Sequence, residues 1–411
     1  MLALAGQQAV ARELNGTAAL VMNMHITGLA VARSLGRRGV PVLGLDKERG
    51  GLGQHSRHLS GLGLVPGPEV DDGAALAGHL VELGPSFAER PVLFACNDDW
   101  VLALARHRDR LDEHYRYPFA SYEVVQRALA KSSLYRACEA RGIAVPRTWY
   151  LDAAAPPQQV AAQVSYPCVL KPDDSRGFYE AFRVKVFVVR SGQEFLERCA
   201  QAAARGLSLV AQEWVETPPG GFWSVCSYLS AGGTARGVFT GRKLEQWPPD
   251  FGTSCLADAQ WDPALAAAGV AALQELGYHG ISEIEFVWSA ERGEYLLLDV
   301  NTRPWKWIGL PVAAGVDLPL LAYCDAVGRP FDAPPQAGGA RWVFLRDYLP
   351  LVRARSATVP EAAVSKDEWT ALIAGRPSSL VDGVHDPDDP EPAYDVLWGE
   401  LSGGTSYTCA C

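Results

Sequence analysis

The chain has 411 residues, and its 47 aspartates and glutamates outnumber its 37 lysines and arginines, which gives a formal net charge of −10. That length predicts two or three domains. The acidic balance, with no long run of lysine or arginine, argues against a nucleic-acid-binding protein, and no apolar run approaches the ~18 residues of a membrane-spanning helix. The nine cysteines show no disulfide framework and the N-terminus lacks the apolar core of a signal peptide, so we expect a cytoplasmic protein.

Residues 1–125 predict a parallel α/β domain, because short apolar strands alternate with a helical stripe. The predicted strands are Ala18–Met22, Val40–Leu45 and Pro91–Cys96, and the predicted helix is His25–Arg38. Asn97, Asp98 and Asp99 follow the last strand, where they either serve a site at the carboxyl edge of the sheet or cap the next helix. The first turn lacks a G-x-G-x-x-G pattern, so we expect no dinucleotide site.

The rest of the chain predicts two regions with largely antiparallel strands, residues 126–215 and 216–330, and a small appended subdomain of loops and short helices over residues 331–411. The predicted elements are helix Ser132–Ala140, strands Cys168–Lys171 and Val184–Val189, helix Glu194–Ala204, strands Leu209–Glu213, Phe222–Leu229 and Gly237–Thr240, helix Pro263–Leu276, and a hairpin of Gly280–Trp288 with Tyr295–Asn301. We expect a solvated loop from Asp382 to Glu400, and a frayed tail at Cys409 and Cys411 rather than a metal site.

The predicted hairpin carries the sharpest pattern for chemistry. Alternation places Glu283 and Glu285 on one face of its first strand, and a turn about Arg292 sets Glu285 opposite Asp299 on the second. Opposed carboxylates repel each other, and a cation between them removes that cost. Two carboxylates and the amide oxygen of Asn301 are hard oxygen ligands, which suit a Mg²⁺ ion that also binds phosphates. The alternative is an exposed charged face, which the apolar flanks of the hairpin disfavour.

Two lysines and a strand end precede this hairpin. Lys171 ends an apolar strand, where a buried ammonium needs a partner such as a phosphate, and Lys131 lies just before a helix. A strand that ends in Glu213, Trp214 and Val215 predicts an interdomain edge whose backbone could pair with an adenine ring. Each of these features, taken alone, is more often structural than functional.

In order and approximate spacing, these features together resemble the ATP-grasp superfamily: Lys131, LKPDDSRGF at 170–178, QEWV at 212–215, EIEF and LLLDVNTRP. The stretches FTGRKLEQWPPDFGTS and RPWKWIGLPVAAGVDLP resemble the branch of carboxylate–amine ligases that includes D-aspartate ligases. The resemblance covers residues 15–330. It implies an N-terminal parallel α/β domain followed by an ATP-grasp fold of two subdomains with largely antiparallel sheets, a small lid over 126–215 and a large catalytic subdomain over 216–330.

The resemblance also implies a function and a site. The activity would be an ATP- and Mg²⁺-dependent ligase that activates a small carboxylate, such as an amino acid, as an acyl phosphate and joins it to an amine, with ADP as a product. The matching positions are Lys131 and Lys171 for the ATP phosphates, Asp173–Gly177 for the loop that closes over them, Glu213–Val215 for the adenine, Glu285, Asp299 and Asn301 for the metal, and Arg303 for the acyl phosphate. The sequence is compatible with a homodimer and names neither the acid nor the amine.

We further expect Arg242 to flank the reacting carboxylate together with Arg303, because a guanidinium binds a carboxylate through two parallel hydrogen bonds. The stretch EQWPPDFG that follows Arg242 predicts a rigid loop lining a pocket. The alternative is that Arg242 pairs with Asp250 and only shapes that loop.

Two other functions compete with the ligase. A protein kinase is disfavoured, because HRD at 107–109 is followed by His114 where an Asn is needed, and because DFG at 250–252 lies far away. A non-catalytic nucleotide-binding or regulatory protein on the same fold remains the alternative. The complete set of metal residues and both lysines argue against it.

Overall fold

The computed structural model describes residues 2–249, 251–354, 359 and 362–402. The N-terminal part forms a four-stranded sheet in the order β3-β2-β1-β4, and every pairing is parallel, as the sequence predicts. Strands β1, β2 and β4 are buried along their whole length, as expected for a sheet covered by helices on each side, whereas β3 at the edge is partly exposed. The elements are α1 (Leu4–Glu13), β1 (Ala19–Met22), α2 (Ile26–Gly36), β2 (Val42–Asp46), β3 (Gly61–Leu64), α3 (Ala74–Leu83), β4 (Val92–Ala95), α4 (Asp98–Arg106), α5 (Arg108–Leu111) and α6 (Tyr122–Leu129).

The next segment forms a small four-stranded antiparallel sheet, in the order β5-β8-β6-β7, which we call the lid sheet. Its elements are α7 (Lys131–Glu139), β5 (Thr148–Tyr150), α8 (Pro157–Ala161), β6 (Cys168–Pro172), α9 (Ser175–Phe182), β7 (Phe187–Val189), α10 (Gly192–Ala203) and β8 (Leu209–Glu213). A core of its own lies between the sheet and helices, built around Phe178 and Phe195. The strand predicted at 184–189 is shorter than expected, and Ser175–Phe182 is helical.

The central sheet has seven strands in the order β13-β12-β9-β10-β11-β14-β15, antiparallel except for the last pair. Its elements are β9 (Phe222–Leu229), β10 (Ala235–Trp247), β11 (Thr253–Ala259), α11 (Pro263–Glu275), β12 (Gly280–Ser289), β13 (Glu294–Asn301), α12 (Gly309–Ala313), α13 (Leu318–Ala326), β14 (Arg341–Val343), α14 (Leu345–Ala354), α15 (Lys366–Ile373), β15 (Leu380–Asp382) and α16 (Glu391–Leu401). None of the helices formed by the described residues is long and apolar enough to cross a membrane.

Two sequence predictions about this sheet need correction. Of the stretch at 245–252 predicted as a pocket loop, the first three residues instead continue β10 as far as Trp247, and the described residues between Trp247 and β11 form a turn. The C-terminal segment is not a separate appended unit, because β14 and β15 extend the central sheet. Both strands are three residues long, too short for an alternating pattern to appear in the sequence.

The expected solvated loop at 382–400 is also wrong, because this segment docks onto the N-terminal domain. Asp389 is 1% exposed and pairs with Arg33 of α2, Nε to Oδ2 at 2.8 Å. Ser56 Oγ and the Arg57 backbone N–H donate to the same carboxylate at 2.7 and 2.8 Å. The predicted frayed tail, with Cys409 and Cys411, lies outside the described residues. In the described part of the chain the cysteines are free thiols.

We expect Arg33→Ala to lower the free energy of unfolding by about 3–5 kcal/mol, because it leaves a buried carboxylate without its cation. Arg37→Ala is the matched control: Arg37 lies at the end of the same helix and pairs with Asp386, but its side chain is 41% exposed, so the loss should stay within about 0–1 kcal/mol. Urea denaturation followed by tryptophan fluorescence measures both. Equal losses would contradict a buried, docked C-terminal segment.

Candidate active site

The hairpin of β12 and β13 brings four polar side chains to one face of the central sheet. Glu285 lies opposite Asp299 and Glu283 lies opposite Asn301, the register that the alternation predicts for the two acids. Because each pair is two residues from the other on its strand, all four side chains point the same way. The hairpin therefore concentrates three carboxyl groups and one amide at the edge of the sheet.

Lysines from two other elements neutralise the opposed acids. Lys131, the first residue of α7, pairs with Asp299, and Lys243 of β10 lies 3.2 and 3.3 Å from the two oxygens of Glu285. Burial acts to raise the pKa of Asp299, but Lys131 and Lys171 outweigh it and the pKa lies below its ordinary value. Lys243 was not among the predicted site residues, although alternation along a longer β10 would have placed it on this face.

Lys171 of β6 reaches the same region without a carboxylate of its own in the described residues. Its Nζ donates to the hydroxyl of Tyr135 at 2.9 Å, and that hydroxyl donates in turn to the Leu298 carbonyl at 2.7 Å. Burial lowers the pKa of Lys171 to about 8, and the nearby Lys131 adds to the effect while Asp299 opposes it. We call Lys131, Lys171, Lys243, Glu285 and Asp299 the charge cluster.

Lys185 faces this cluster and Lys306 lies near Lys185, and neither was among the predicted site residues. Burial lowers the pKa of Lys185, just before β7, to about 8, and the charges that act on it include Lys243, Glu285 and Lys306. Lys306 is itself buried, donates to Thr253 Oγ1 at 2.9 Å and pairs with Asp347 of α14. A signal existed in each case, since each lysine stands between large or branched apolar residues in the sequence.

Arg303 lies just past β13 and is held by the N-terminal domain. Its Nε and Nη2 donate to the two oxygens of Asp98 at 2.9 and 3.0 Å, and Nη1 donates to the Pro304 carbonyl at 3.0 Å. A guanidinium has five N–H groups, so two have no partner among the described residues and are available to a ligand. Although burial acts to lower the pKa of Arg303, Asp98 raises it, so the group stays charged.

The three polar residues after β4 divide into a cap and two ion-pair partners. The side chain of Asn97 caps α4 by accepting from the Asp99 N–H at 3.0 Å. Asp98 binds Arg303, and Asp99 pairs with Arg176 of the lid helix α9. The helix-cap alternative is thus confirmed for Asn97, and the alternative of a site at the carboxyl edge stays a prediction.

Arg242 lies away from the charge cluster, which corrects its expected position beside the reacting carboxylate. Arg242 and Lys243 are consecutive on β10, so their side chains point to opposite faces, and Lys243 is the one that reaches Glu285. Arg242 pairs instead with Asp258, directly opposite on β11, with Nε to Oδ1 at 3.1 Å. The alternative partner, Asp250, lies outside the described residues.

The residues expected to surround a nucleotide lie at the end of β8 and the start of α9. The Glu213 carboxylate accepts from the Arg147 N–H at 2.7 Å and pairs with Arg292, so it fixes the strand end. Trp214 is 40% exposed, and neither it nor Val215 forms a backbone hydrogen bond with any described residue. This leaves a short edge of free backbone groups beside the lid sheet.

Residues 173–177, which were expected to form a loop that closes over the phosphates, form a different local structure. Asp173 accepts from the backbone N–H and hydroxyl of Ser132 at 2.7 and 2.9 Å, and Asp174 caps α9. The segment is therefore a capped turn that leads directly into a helix. Its Arg176 makes the contact with Asp99 described above, which ties the lid sheet to the N-terminal domain.

No family model matches the chain, but a curated protein does. A D-aspartate ligase from Enterococcus faecium (strain Aus0004) is 21% identical over 263 residues, which cover 59% of this chain. The match spans 61% of the length of that ligase, which is less than two thirds of it.

Several solved structures resemble the chain in fold. An L-amino acid ligase from Bacillus licheniformis has a TM-score of 0.60 at 15% identity, over 78% of this chain and 76% of the ligase. N5-carboxyaminoimidazole ribonucleotide synthetase from Thermus thermophilus has a TM-score of 0.59 at 17% identity, over 79% of this chain and 81% of the synthetase. The biotin carboxylase domain of Hydrogenobacter thermophilus 2-oxoglutarate carboxylase, a dimer in complex with MgADP, ADP and bicarbonate, has a TM-score of 0.62 at 14% identity, over 80% and 74%.

These structures share the ATP-grasp fold, and the chain therefore has that fold, as its motifs predict. At these identities the likeness concerns the fold alone, and one fold can carry several functions.

Proposed function

From the ATP-grasp fold and the charge cluster, we propose that the chain is an ATP- and Mg²⁺-dependent ligase that joins a small carboxylate to an amine. The carboxylate oxygen would attack the γ-phosphorus of ATP, releasing ADP and forming an acyl phosphate; the amine would then displace phosphate and form the amide. The observation that carries the proposal is the meeting of two opposed carboxylates with lysines from three separate elements, α7, β6 and β10.

The donor set fits a magnesium ion. Glu285, Asp299 and Asn301 offer two carboxylates and an amide oxygen, and Mg²⁺ commonly uses one or two carboxylates while phosphate and water fill the remaining positions. Among the described residues, no group of three or more His, Cys, Asp and Glu side chains is arranged to hold a metal ion. The site therefore suits a metal that arrives with the nucleotide, where it would neutralise phosphate charge.

The lysines supply the rest of the nucleotide site. Lys171 is partnered by a neutral hydroxyl, so its charge is available to a phosphate at little cost in broken ion pairs. Lys131 and Lys243 would be released from Asp299 and Glu285 when the metal binds those acids. The free backbone at Trp214 and Val215 would receive the adenine.

Arg303 is the residue we assign to the reacting carboxylate and its acyl phosphate. Two N–H groups of its guanidinium have no partner among the described residues, and Lys185 adds positive charge nearby. Fixed cations of this kind stabilise the negative charge that accumulates as the oxygen attacks phosphorus. The reaction needs no Ser or Cys nucleophile. The D-aspartate ligase and L-amino acid ligase likenesses favour an amino acid or a similar small polar acid as a substrate.

A non-catalytic nucleotide-binding protein is the second candidate, and one observation favours it. Both opposed acids already have lysine partners, so the cluster is electrostatically balanced without a metal. Nucleotide analysis separates the candidates: the ligase releases ADP and phosphate when acid and amine are present, whereas a binding protein releases neither.

We expect Asp299→Ala to abolish turnover with the fold retained, because the variant loses one of two anionic metal ligands. The control is Glu294→Ala on the same strand, whose side chain is exposed, and it should keep full activity. Coupled detection of ADP together with circular dichroism measures both properties. Full activity in Asp299→Ala would remove the metal assignment.

Lys171→Met should weaken ATP binding with little change in thermal midpoint, since methionine keeps the packing and removes only the charge. Isothermal titration with ATP and a thermal melt distinguish this role from a structural one. Lys366→Met, at the solvent-exposed start of α15, is the control that should change neither quantity. A large loss of stability with unchanged ATP affinity would instead make Lys171 a structural lysine.

Arg303→Lys should lower kcat/KM for the acid by about 10²-fold or more, as expected for a transition-state contact that lysine cannot reproduce. Arg242→Lys provides the matched comparison, because Arg242 also makes a two-point contact with an aspartate but on the other face of the sheet. Its kcat/KM should change little. If Arg303→Lys is as active as the parent, the carboxylate site has been placed wrongly.

A further inference from the structure

One buried acid beside the proposed metal ligands has no part in the proposed reaction. Glu283 is 2% exposed and lies on β12 between two neighbouring strands. Ser224 Oγ of β9 donates to Glu283 Oε1 at 2.9 Å, and Asn301 Nδ2 of β13 donates to Glu283 Oε2 at 2.9 Å. Both carboxyl oxygens are thus engaged by donors from either side.

The contact with Asn301 has a direct consequence for its amide. A primary amide has a donating end and an accepting end, and a rotation of the side chain exchanges them. Because Nδ2 donates to Glu283, the oxygen Oδ1 is turned away from Glu283, and it has no hydrogen-bond donor among the described residues, so it can accept a cation. Without that acceptor, the amide could present its NH₂ group to the metal, which repels a cation.

The serine on the other side completes the arrangement. Ser224 lies opposite Glu285 on the paired strand β9, and its hydroxyl reaches diagonally to Glu283. This second hydrogen bond fixes the carboxyl group that in turn fixes the amide. The three residues form a chain across three adjacent strands, from Ser224 through Glu283 to Asn301.

We propose that Glu283 is a positioning residue, which orients the amide of Asn301 so that its oxygen binds the metal ion. The inference rests on the proposed metal site of the ligase. Glu283 would act on the metal site because its side chain is long enough to accept the hydrogen bond from Asn301, and not through its charge or by binding the metal itself.

Two conservative variants separate the effect of the side-chain length of Glu283 from the effect of its charge. Glu283→Gln keeps the length and loses the charge: its Oε1 can accept from Asn301 while its Nε2 donates to Ser224 Oγ. Glu283→Asp keeps a carboxylate but is shorter by one methylene, so it withdraws the acceptor from Asn301. Both substitutions are small enough for the buried site, and Asp299→Ala serves as the reference for loss of the metal site.

The measurement is Mn²⁺ binding to each protein in the presence of ADP, read by electron paramagnetic resonance of the free ion, which does not depend on turnover. We expect Glu283→Asp to weaken Mn²⁺ binding by about 10- to 100-fold, the usual effect of losing a partner that orients a metal ligand, and Glu283→Gln to stay within about threefold of the parent. In steady-state assays, saturating Mg²⁺ should restore most of kcat to Glu283→Asp, because the defect lies in metal affinity.

The opposite order, with Glu283→Gln weak and Glu283→Asp normal, would show that the charge matters and would overturn the proposal. Normal binding by both variants would overturn it as well. The reference variant reports separately on the ligase itself: if Asp299→Ala binds Mn²⁺ as tightly as the parent, the metal site of the proposed function is wrong, whatever Glu283 does.

Discussion

The site depends on one constraint, the direct opposition of Glu285 and Asp299 on adjacent strands of the same sheet face. Like charges in this position destabilise a hairpin unless cations offset them. Here Lys131 and Lys243 offset the two charges. Lys131 begins a helix of the lid region, and Lys243 lies on β10, which is separated from β12 by one strand of the central sheet. The same charge balance that lets the hairpin fold therefore assembles the site we propose, in which a metal ion would replace the lysines as the partner of the acids and phosphates would replace the acids as partners of the lysines.

The N-terminal domain takes part through two adjacent acids at the carboxyl edge of its sheet. Asp98 accepts two of the five N–H groups of Arg303, and Asp99 holds Arg176 of the lid helix. In the first pair the arginine is buried, and Asp98 fixes its orientation. In the second pair both side chains are more than one-third exposed, so this ion pair contributes only about 0–1 kcal/mol to stability. A movement of the lid sheet away from the N-terminal domain would break the second pair at little cost and leave the first intact.

The sequence predicted the parallel N-terminal sheet, the hairpin register and the two lysines that approach it, because short apolar runs, alternating strands and charged residues in apolar surroundings leave local signals. It failed where the outcome depended on distant partners. The glycine, proline and aromatic residues after Arg242 suggested a loop, but pairing with β9 and β11 extends the strand to Trp247 and turns Arg242 away from the site. Neither β14 nor β15 is long enough to show a pattern, and nothing local marks Asp389 as the buried partner of Arg33.

The central claim is that a carboxylate becomes an acyl phosphate in this site, and the fate of its oxygen tests that claim most directly. The protein is incubated with ATP, Mg²⁺, amino acids that carry ¹⁸O in their carboxylates, and an amine, and the released phosphate is analysed by mass spectrometry. Attack on the γ-phosphorus places one carboxylate oxygen in the phosphate, so we predict one ¹⁸O in each phosphate formed, with ADP and amide in equal amounts. Unlabelled phosphate, or AMP in place of ADP, would contradict the account.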